Sequence, residues 1–351
     1  VSTTAPTDES TAAGTAPGTA STTSPAADAG SGALPVLAVD LVTAPSLLDG
    51  LAPLARGLEE AGVGALTLSD GGLHPIHVAA HLAPLTRGLG LLPRTDAVYV
   101  EPFLLATQLM SLDHISHGRT GWLLQAETDP SAAAAVGREL LGLEATAREA
   151  ADVLEAARRV WDTWAPDAVV RDTERGVYVD ASRLQYADVE AETFSVRGPA
   201  ITPRSPQGLL PVLVADTDRE SVGERASAEL ADGRVLDLDV SGGARAEEIA
   251  GRIASAREAS AGAEASAGSA GVPSAAAQQV RLVRLVGLDL EADPLGTARQ
   301  LAAELRDRGL VAAAPAPGRT LRDLLGLPET PFDLDPARRA DRARLTREES
   351  A

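Results

Sequence analysis

Cysteine is absent from the 351-residue chain. That excludes disulfides, thiolate metal sites and thiol nucleophiles, and it is compatible with a reducing compartment. Lysine is absent as well, so all 31 basic residues are arginines. With the abundant alanine and glycine, this reads as the bias of a GC-rich genome rather than as chemistry. Aromatic residues make up only 3% of the chain, so a core has to be filled by Ala, Leu and Val, which suit helix-covered parallel strands. No apolar run is long enough to cross a bilayer, and the N-terminal stretch has neither the basic start nor the apolar middle of a signal peptide. A cytoplasmic protein with no membrane partner is expected. Also missing are a Gly-rich phosphate loop ending in Lys-Ser/Thr, a Gly-x-Ser-x-Gly elbow and a His-Glu-x-x-His zinc signature. Their absence removes the standard nucleotide-triphosphatase, serine-hydrolase and zinc-protease readings. Gly62-Val63-Gly64 lacks the third glycine of a dinucleotide fingerprint and does not open a helix.

What is present is acidic and apolar. A formal charge of −19 repels phosphate backbones, so no nucleic-acid partner is expected, and 44% hydrophobic residues suffice for one large domain. Residues 1–33 are almost wholly Ser, Thr, Ala, Pro, Gly and Asp and read as a disordered tail. Residues 34–330 read as the folded unit, and 331–351 as a charged C-terminal tail. Within the folded unit, buried strands are expected at Leu34–Val42, Ala65–Leu68, Gly90–Pro93, Thr120–Leu124, Pro211–Ala215, Val235–Val240, Val280–Leu288 and Leu310–Ala314. Helical spacing separates them at Ser46–Ala61, Ile76–Arg87, Phe103–His114, Glu220–Ala231, Ala244–Ala256 and Pro294–Arg308. After another long helix, Ala145–Trp164, the pattern turns irregular until Leu209, an excursion too long for an ordinary loop. Eight βα candidates predict an α/β fold, a (β/α)8 TIM barrel with an insertion between strands 4 and 5. An open doubly wound sheet is the alternative. Ala256–Gln278, rich in Ala, Ser and Gly, reads as a fraying helix end or a surface loop.

Three histidines, His74, His77 and His81, share one side of a helix at i, i+3 and i+7, the spacing at which imidazoles converge on a metal. No carboxylate completes that face, so a structural or substrate-contact role is preferred and no metal site is assigned. Asp113, His114 and His117 form a second polar group. Adjacent helical residues diverge, which favours capping over acid–base chemistry. Asp70 closes the second strand ahead of Gly71 and Gly72, the rim position where a barrel binds ligands, although a plain turn Asp reads equally well.

Several blocks resemble one family. Glu101-Pro102-Phe103, Ala106 and the run Ser111 to Trp122 (SLDHISHGRTGW) closely resemble the "EPF…A…TLDHLSGGRAGW" block of the luciferase-like flavin-dependent monooxygenases, in particular the nitrilotriacetate and dibenzothiophene-sulfone branch. Arg158 to Trp164 (RRVWDTW), Phe194 to Pro199 (FSVRGP), Pro203 to Gly208 (PRSPQG) and Arg319 to Pro328 (RTLRDLLGLP) are similar to further family blocks. The resemblance runs from about Leu34 to Pro328.

It implies a barrel that binds reduced FMN delivered by an NAD(P)H-dependent flavin reductase and uses O2 on a small organic substrate, in a homo- or hetero-oligomer. Deazaflavin F420 is the less favoured cofactor, and a non-catalytic or regulatory barrel paralogue is the alternative function. The implied cofactor contacts are Asp70, Thr95, Asp96, Gln125, Arg148, Thr217 and Arg219, with no catalytic residue assigned. The chain departs from the family pattern at Glu127, at Glu144 and Arg148 ahead of the long helix, and at the phosphate loop, where Gln-Ala-Gly-Ser becomes Ala215-Asp216-Thr217-Asp218. A carboxylate about 4 Å from a phosphate costs several kcal/mol at an effective dielectric near 20. Arg148 and Arg219 are the groups expected to offset that cost.

Overall fold

The computed structural model describes residues 33–243, 245–266 and 275–338. Residues 1–32 of the expected N-terminal tail, the C-terminal residues from 339 and the centre of the Ala/Ser/Gly-rich stretch, 267–274, lie outside the described residues.

Seven parallel strands close a ring. In chain order they are β1 (Val36–Thr43), β2 (Ala65–Asp70), β3 (Gly90–Asp96) and β4 (Trp122–Gln125), followed after an insertion by β9 (Val212–Ala215), β10 (Gly233–Asp239) and β11 (Val280–Val286). The ring closes where β11 pairs directly with β1, Val36 opposite Leu282 and Val39 opposite Leu285. The expected α/β class with a closed parallel barrel is therefore the observed one, and the open-sheet alternative is excluded. The expected eighth strand at Leu310–Ala314 does not form. In place of a strand ladder, Ala312 N–H donates to Pro35 O at 2.9 Å, just ahead of β1. Ala312-Ala313-Ala314 has weak strand preference, and Pro315 and Pro317 remove two ladder donors just beyond it.

Alternation along the strands explains two cores. Leu37, Val39 and Leu41 join the outer cluster under the helices, whereas Val36 and Ala38 join an inner one with Leu92, Leu123, Leu213, Val235 and Leu282. Both faces of the ring are apolar over the N-terminal part of the strands, as a ring covered outside and filled inside requires. The inner cluster is completed by Leu321, Leu324, Leu325 and Leu327 from the short helix α10 (Leu321–Leu324) and the residues after it. The family-like block Arg319–Pro328 is thus a plug for the N-terminal end of the barrel. Space for the plug is made by two glycines. A Cβ at Gly90 or Gly121 would lie 2.8 or 2.6 Å from Leu321 methyl carbons.

Helices α1 (Leu48–Glu60), α2 (Pro75–Leu82) and α3 (Pro102–Ser116) follow the first three strands. The insertion between β4 and β9 begins with α4 (Pro130–Ala135) and the long α5 (Leu143–Trp161). Two small antiparallel hairpins complete it, β5 (Val169–Asp172) with β6 (Val177–Val179) and β7 (Val189–Glu190) with β8 (Ser195–Val196). The helix expected at 220–231 is broken. Helix α6 (Arg219–Glu224) bends at Gly223 (φ 80°, ψ 167°) and a π-helical turn spans Arg225–Leu230. Helices α7 (Ala246–Ser266), α8 (Ala275–Gln278) and α9 (Pro294–Asp307) complete the outer layer. Within the expected C-terminal tail, residues 331–338 lie against the insertion, Arg338 Nε donating to Tyr186 O at 2.8 Å.

The SLDHISHGRTGW block is built into the frame. Asp113 is fully buried and accepts from Thr120 N–H, from Gln207 Nε2 at 2.7 Å and from the Ser205 hydroxyl. His114 points elsewhere, its Nε2 3.1 Å from Pro203 O, so the two neighbours diverge as helical geometry demands. His117 (φ 55°) and Gly118 (φ 84°) turn the chain out of α3.

Candidate functional site

Towards the C-terminal end of the ring the inward positions change from apolar to ionic. Asp40 follows Val36 and Ala38 on β1, Thr67 follows Ala65 on β2, Arg94 follows Leu92 on β3, Asp237 follows Val235 on β10 and Arg284 follows Leu282 on β11. Asp40 Oδ1 accepts from the Thr67 hydroxyl (2.5 Å) and the Ser69 hydroxyl (3.0 Å). Arg284 Nε donates to Asp237 Oδ1 at 2.7 Å, and its Nη1 is 3.6 Å from Asp40. Burial opposes the Arg284 charge, but Asp237, with Asp40 and Asp218 behind it, keeps its pKa above the ordinary value.

Above this layer open two cavities that share Asp70, Arg94 and Gln125. One, of about 410 Å³, has an apolar wall of Pro75, Val100, Leu104 and Leu105 facing Thr95, Asp96 and Gln125. Thr95 Oγ1 and Gln125 Oε1 are buried without a hydrogen-bond partner among the described residues. Such atoms are costly unless something supplies the bond. The other cavity, of about 550 Å³, runs toward β9 and the N-terminal end of α5 and is polar. Its lining carries the carboxylates Asp70, Glu127, Asp218 and Glu220 against one guanidinium, Arg94. That guanidinium is already engaged, donating from Nε (3.2 Å) and Nη2 (2.7 Å) to the two oxygens of the buried Asp218.

Asp96 is tied to the floor by Gln125 Nε2 at 3.1 Å. Burial, with the Glu127 carboxylate nearby, pushes its pKa from 3.8 up to about 6. In the unfolded chain the proton leaves near pH 4 and in the folded chain near pH 6. Stability therefore falls as pH rises through that window, by about 3 kcal/mol, and the cost persists above it. Asp96→Asn keeps the acceptor for Gln125 and removes the charge. Urea melts are expected to show the variant the more stable at pH 7.5, with the gap vanishing by pH 4. A variant equally or less stable at pH 7.5 contradicts this.

Of the residues implied by the resemblance, Asp70, Gln125 and Thr217 line the polar cavity, and Asp70, Thr95, Asp96 and Gln125 the apolar one. Arg148 and Arg219 line neither. Arg148 is exposed on α5, paired with Glu144 (3.0 Å) and Glu192 (3.2 Å). Arg219 turns toward Gln278 Oε1 at 3.5 Å, and burial together with Arg234 pulls its pKa down. Neither therefore reaches the cavities, although Arg219 lies close enough to Asp216 of the acidic loop to feel its charge. In that loop Asp216 is held bidentately by Arg234 (2.8 and 2.9 Å), the Thr217 hydroxyl is spent on Asp237 Oδ2 (2.6 Å), and Asp218 holds Arg94. Among the described residues the one guanidinium that lines the cavities, Arg94, is paired with Asp218, a lining that does not fit the FMN phosphate as it is arranged. The residue that sequence reasoning missed is Arg94. Its signal is a charge on the inward parity of an otherwise apolar strand, the position also taken by Asp40, Asp237 and Arg284. The histidine row does not converge. His74 lines the apolar cavity with its ring centre 5.0 Å from that of His77. Among the described residues no group of three His, Asp or Glu side chains is placed to hold a metal.

A model of the luciferase-like monooxygenase family matches residues 29–315. The N-acetyl-S-(2-succino)cysteine monooxygenase of Bacillus subtilis (strain 168) is 34% identical over 141 residues, covering 40% of this chain and 32% of that protein. The dibenzothiophene-sulfone monooxygenase of Rhodococcus erythropolis is 35% identical over 156 residues, covering 44% and 33%. The matches thus span about a third of the length of these relatives. The solved structure of a long-chain alkane monooxygenase superposes with a TM-score of 0.64 at 17% identity, covering 84% of this chain and 96% of that one. No described helix is long and apolar enough to cross a membrane.

Proposed function

This chain belongs to the luciferase-like monooxygenase family, and from that premise we propose that its barrel mouth takes the ring of a flavin and serves the oxidation of a small organic substrate. The observation that carries the reading is the apolar cavity. Pro75, Val100, Leu104 and Leu105 line it together with Thr95 and Gln125, whose Oγ1 and Oε1 are buried without hydrogen-bond partners among the described residues. An isoalloxazine ring has apolar faces and an edge of alternating N–H and C=O groups, which answers both features. In this reading Gln125 Oε1 accepts from a ring N–H, Thr95 Oγ1 completes the edge, and the leucines keep water from one face. Oxygen as oxidant and a separate NAD(P)H-dependent reductase as the source of reduced flavin belong to the same proposal, following relatives whose names are those of monooxygenases.

Lumiflavin, the ring without a tail, is the direct probe. It is expected to bind saturably by fluorescence quenching, and Gln125→Leu is expected to weaken it about tenfold, the scale of one lost hydrogen bond in a buried site. Absence of saturable lumiflavin binding overturns the reading. A second reading, a companion barrel without flavin chemistry, is favoured by the internal engagement of Asp216, Thr217 and Asp218. It predicts no lumiflavin binding and co-purification with a homologue that has an uncharged phosphate loop.

A further inference from the structure

We infer that this mouth selects an uncharged, phosphate-free flavin over FMN, a step that rests on the ring-binding reading above. A tail leaving the ring through the shared residues Asp70, Arg94 and Gln125 enters the polar cavity, where Glu127, Asp218 and Glu220 join Asp70. A phosphate dianion there meets four carboxylates and a single guanidinium. Two of the five Arg94 N–H groups and its charge are already committed to Asp218, which is buried and has no other cation in the cavity, so a phosphate would compete with a formed ion pair for them. The Thr217 hydroxyl is already donated to Asp237. Arg148 and Arg219, the arginines that the resemblance implies for the phosphate, are paired or turned elsewhere.

A polyol tail meets the reverse situation. Carboxylate oxygens are acceptors only, and a chain of neutral hydroxyls supplies the donors they lack without adding charge. The two ends of the site then agree in chemistry. The unpartnered Thr95 and Gln125 atoms take the ring edge, and the acidic wall takes hydroxyls while excluding an anion. The ligand class is a planar N–H/C=O heterocycle carrying a neutral hydroxylated tail.

Riboflavin and FMN differ by the phosphate alone, so the test is their affinity ratio on the full chain by fluorescence quenching at low salt and pH 8. Riboflavin is expected to bind at least about tenfold tighter than FMN, with the gap narrowing at 0.5 M salt as exposed charges are screened. Asp218→Asn, which frees Arg94, is expected to shift the ratio toward FMN by about tenfold or more. Should that variant fail to fold, the exposed Glu220→Gln is expected to move the ratio in the same direction by a smaller factor. FMN binding as tightly as riboflavin overturns this inference and leaves the ring reading standing. If neither flavin binds and lumiflavin also fails, the ring reading falls and this inference with it.

Discussion

Arg119→Ala is expected to destabilise the protein by at least about 4 kcal/mol, because Arg119 is a buried clamp that donates to five acceptors at once. Its guanidinium gives Nε to Ser116 O (2.9 Å), Nη1 to Leu89 O (2.8 Å) and the Thr86 hydroxyl (3.0 Å), and Nη2 to Ala83 O (2.7 Å) and Thr86 O (3.2 Å). The residue is 4% exposed. Truncation therefore leaves carbonyls at the end of α3, after α2 and just before β3 without the donor that now joins them. Burial pulls the Arg119 pKa down, with Glu59 and Asp113 acting against that pull, and an arginine tolerates this because its ordinary pKa is so high. Arg119→Lys retains the charge but presents three donors from one point, so it is expected to recover less than half of the loss. Urea unfolding of both variants measures this. A loss below about 1 kcal/mol for Arg119→Ala contradicts the clamp. The family-like block around Arg119 thus gives the barrel its frame and leaves the mouth to other residues.

Arg284→Met is expected to cost about 3–5 kcal/mol at neutral pH, since it leaves Asp40 and Asp237 facing one another in the lumen without their shared cation. Arg284 is 5% exposed, and its partners lie 2.7 Å away at Asp237 and 3.6 Å away at Asp40. The pH dependence separates loss of charge from loss of packing. Without the guanidinium the two carboxylates are left as like charges in the lumen, a repulsion that acid relieves. The variant should therefore regain stability relative to the parent as pH falls from 7 to 4. Adding Asp237→Leu to Arg284→Met is expected to recover part of the loss at pH 7, because replacing both members of a buried pair by apolar groups costs less than removing one. A pH-independent deficit, or no recovery in the double variant, points to packing alone.

The strands were legible because each is an apolar run bounded by turn residues, and the insertion because its polarity outlasts any ordinary loop. Local pattern failed where pairing decides the outcome. Leu310–Ala314 has the composition of a weak strand, but the ring is already closed by the β11–β1 ladder, and the chain beyond passes to the plug instead. The helix at 220–231 breaks at Gly223, where a Cβ would stand 2.5 Å from the Ala147 side chain of α5, a contact across 76 positions that helical periodicity does not contain. For the mouth, the resemblance pointed to Asp70, Thr95, Asp96, Gln125 and Thr217, which line the two cavities, and to Arg148 and Arg219, which line neither. Arg148 lies on the outer face of α5 with Glu144 one turn earlier, a phase that the buried set Thr146, Glu149, Ala150 and Val153 makes visible. Arg94 and Asp218 are 124 residues apart, and only closure of the barrel makes them a pair.

Crystals of the protein grown with riboflavin provide the most direct check. The ring is predicted to lie against Pro75, Leu104 and Leu105 with an N–H within hydrogen-bond distance of Gln125 Oε1, its hydroxylated tail running past Asp70 while Arg94 stays on Asp218. A ring seated outside the mouth, or Arg94 swung off Asp218 to meet the tail, would contradict that arrangement.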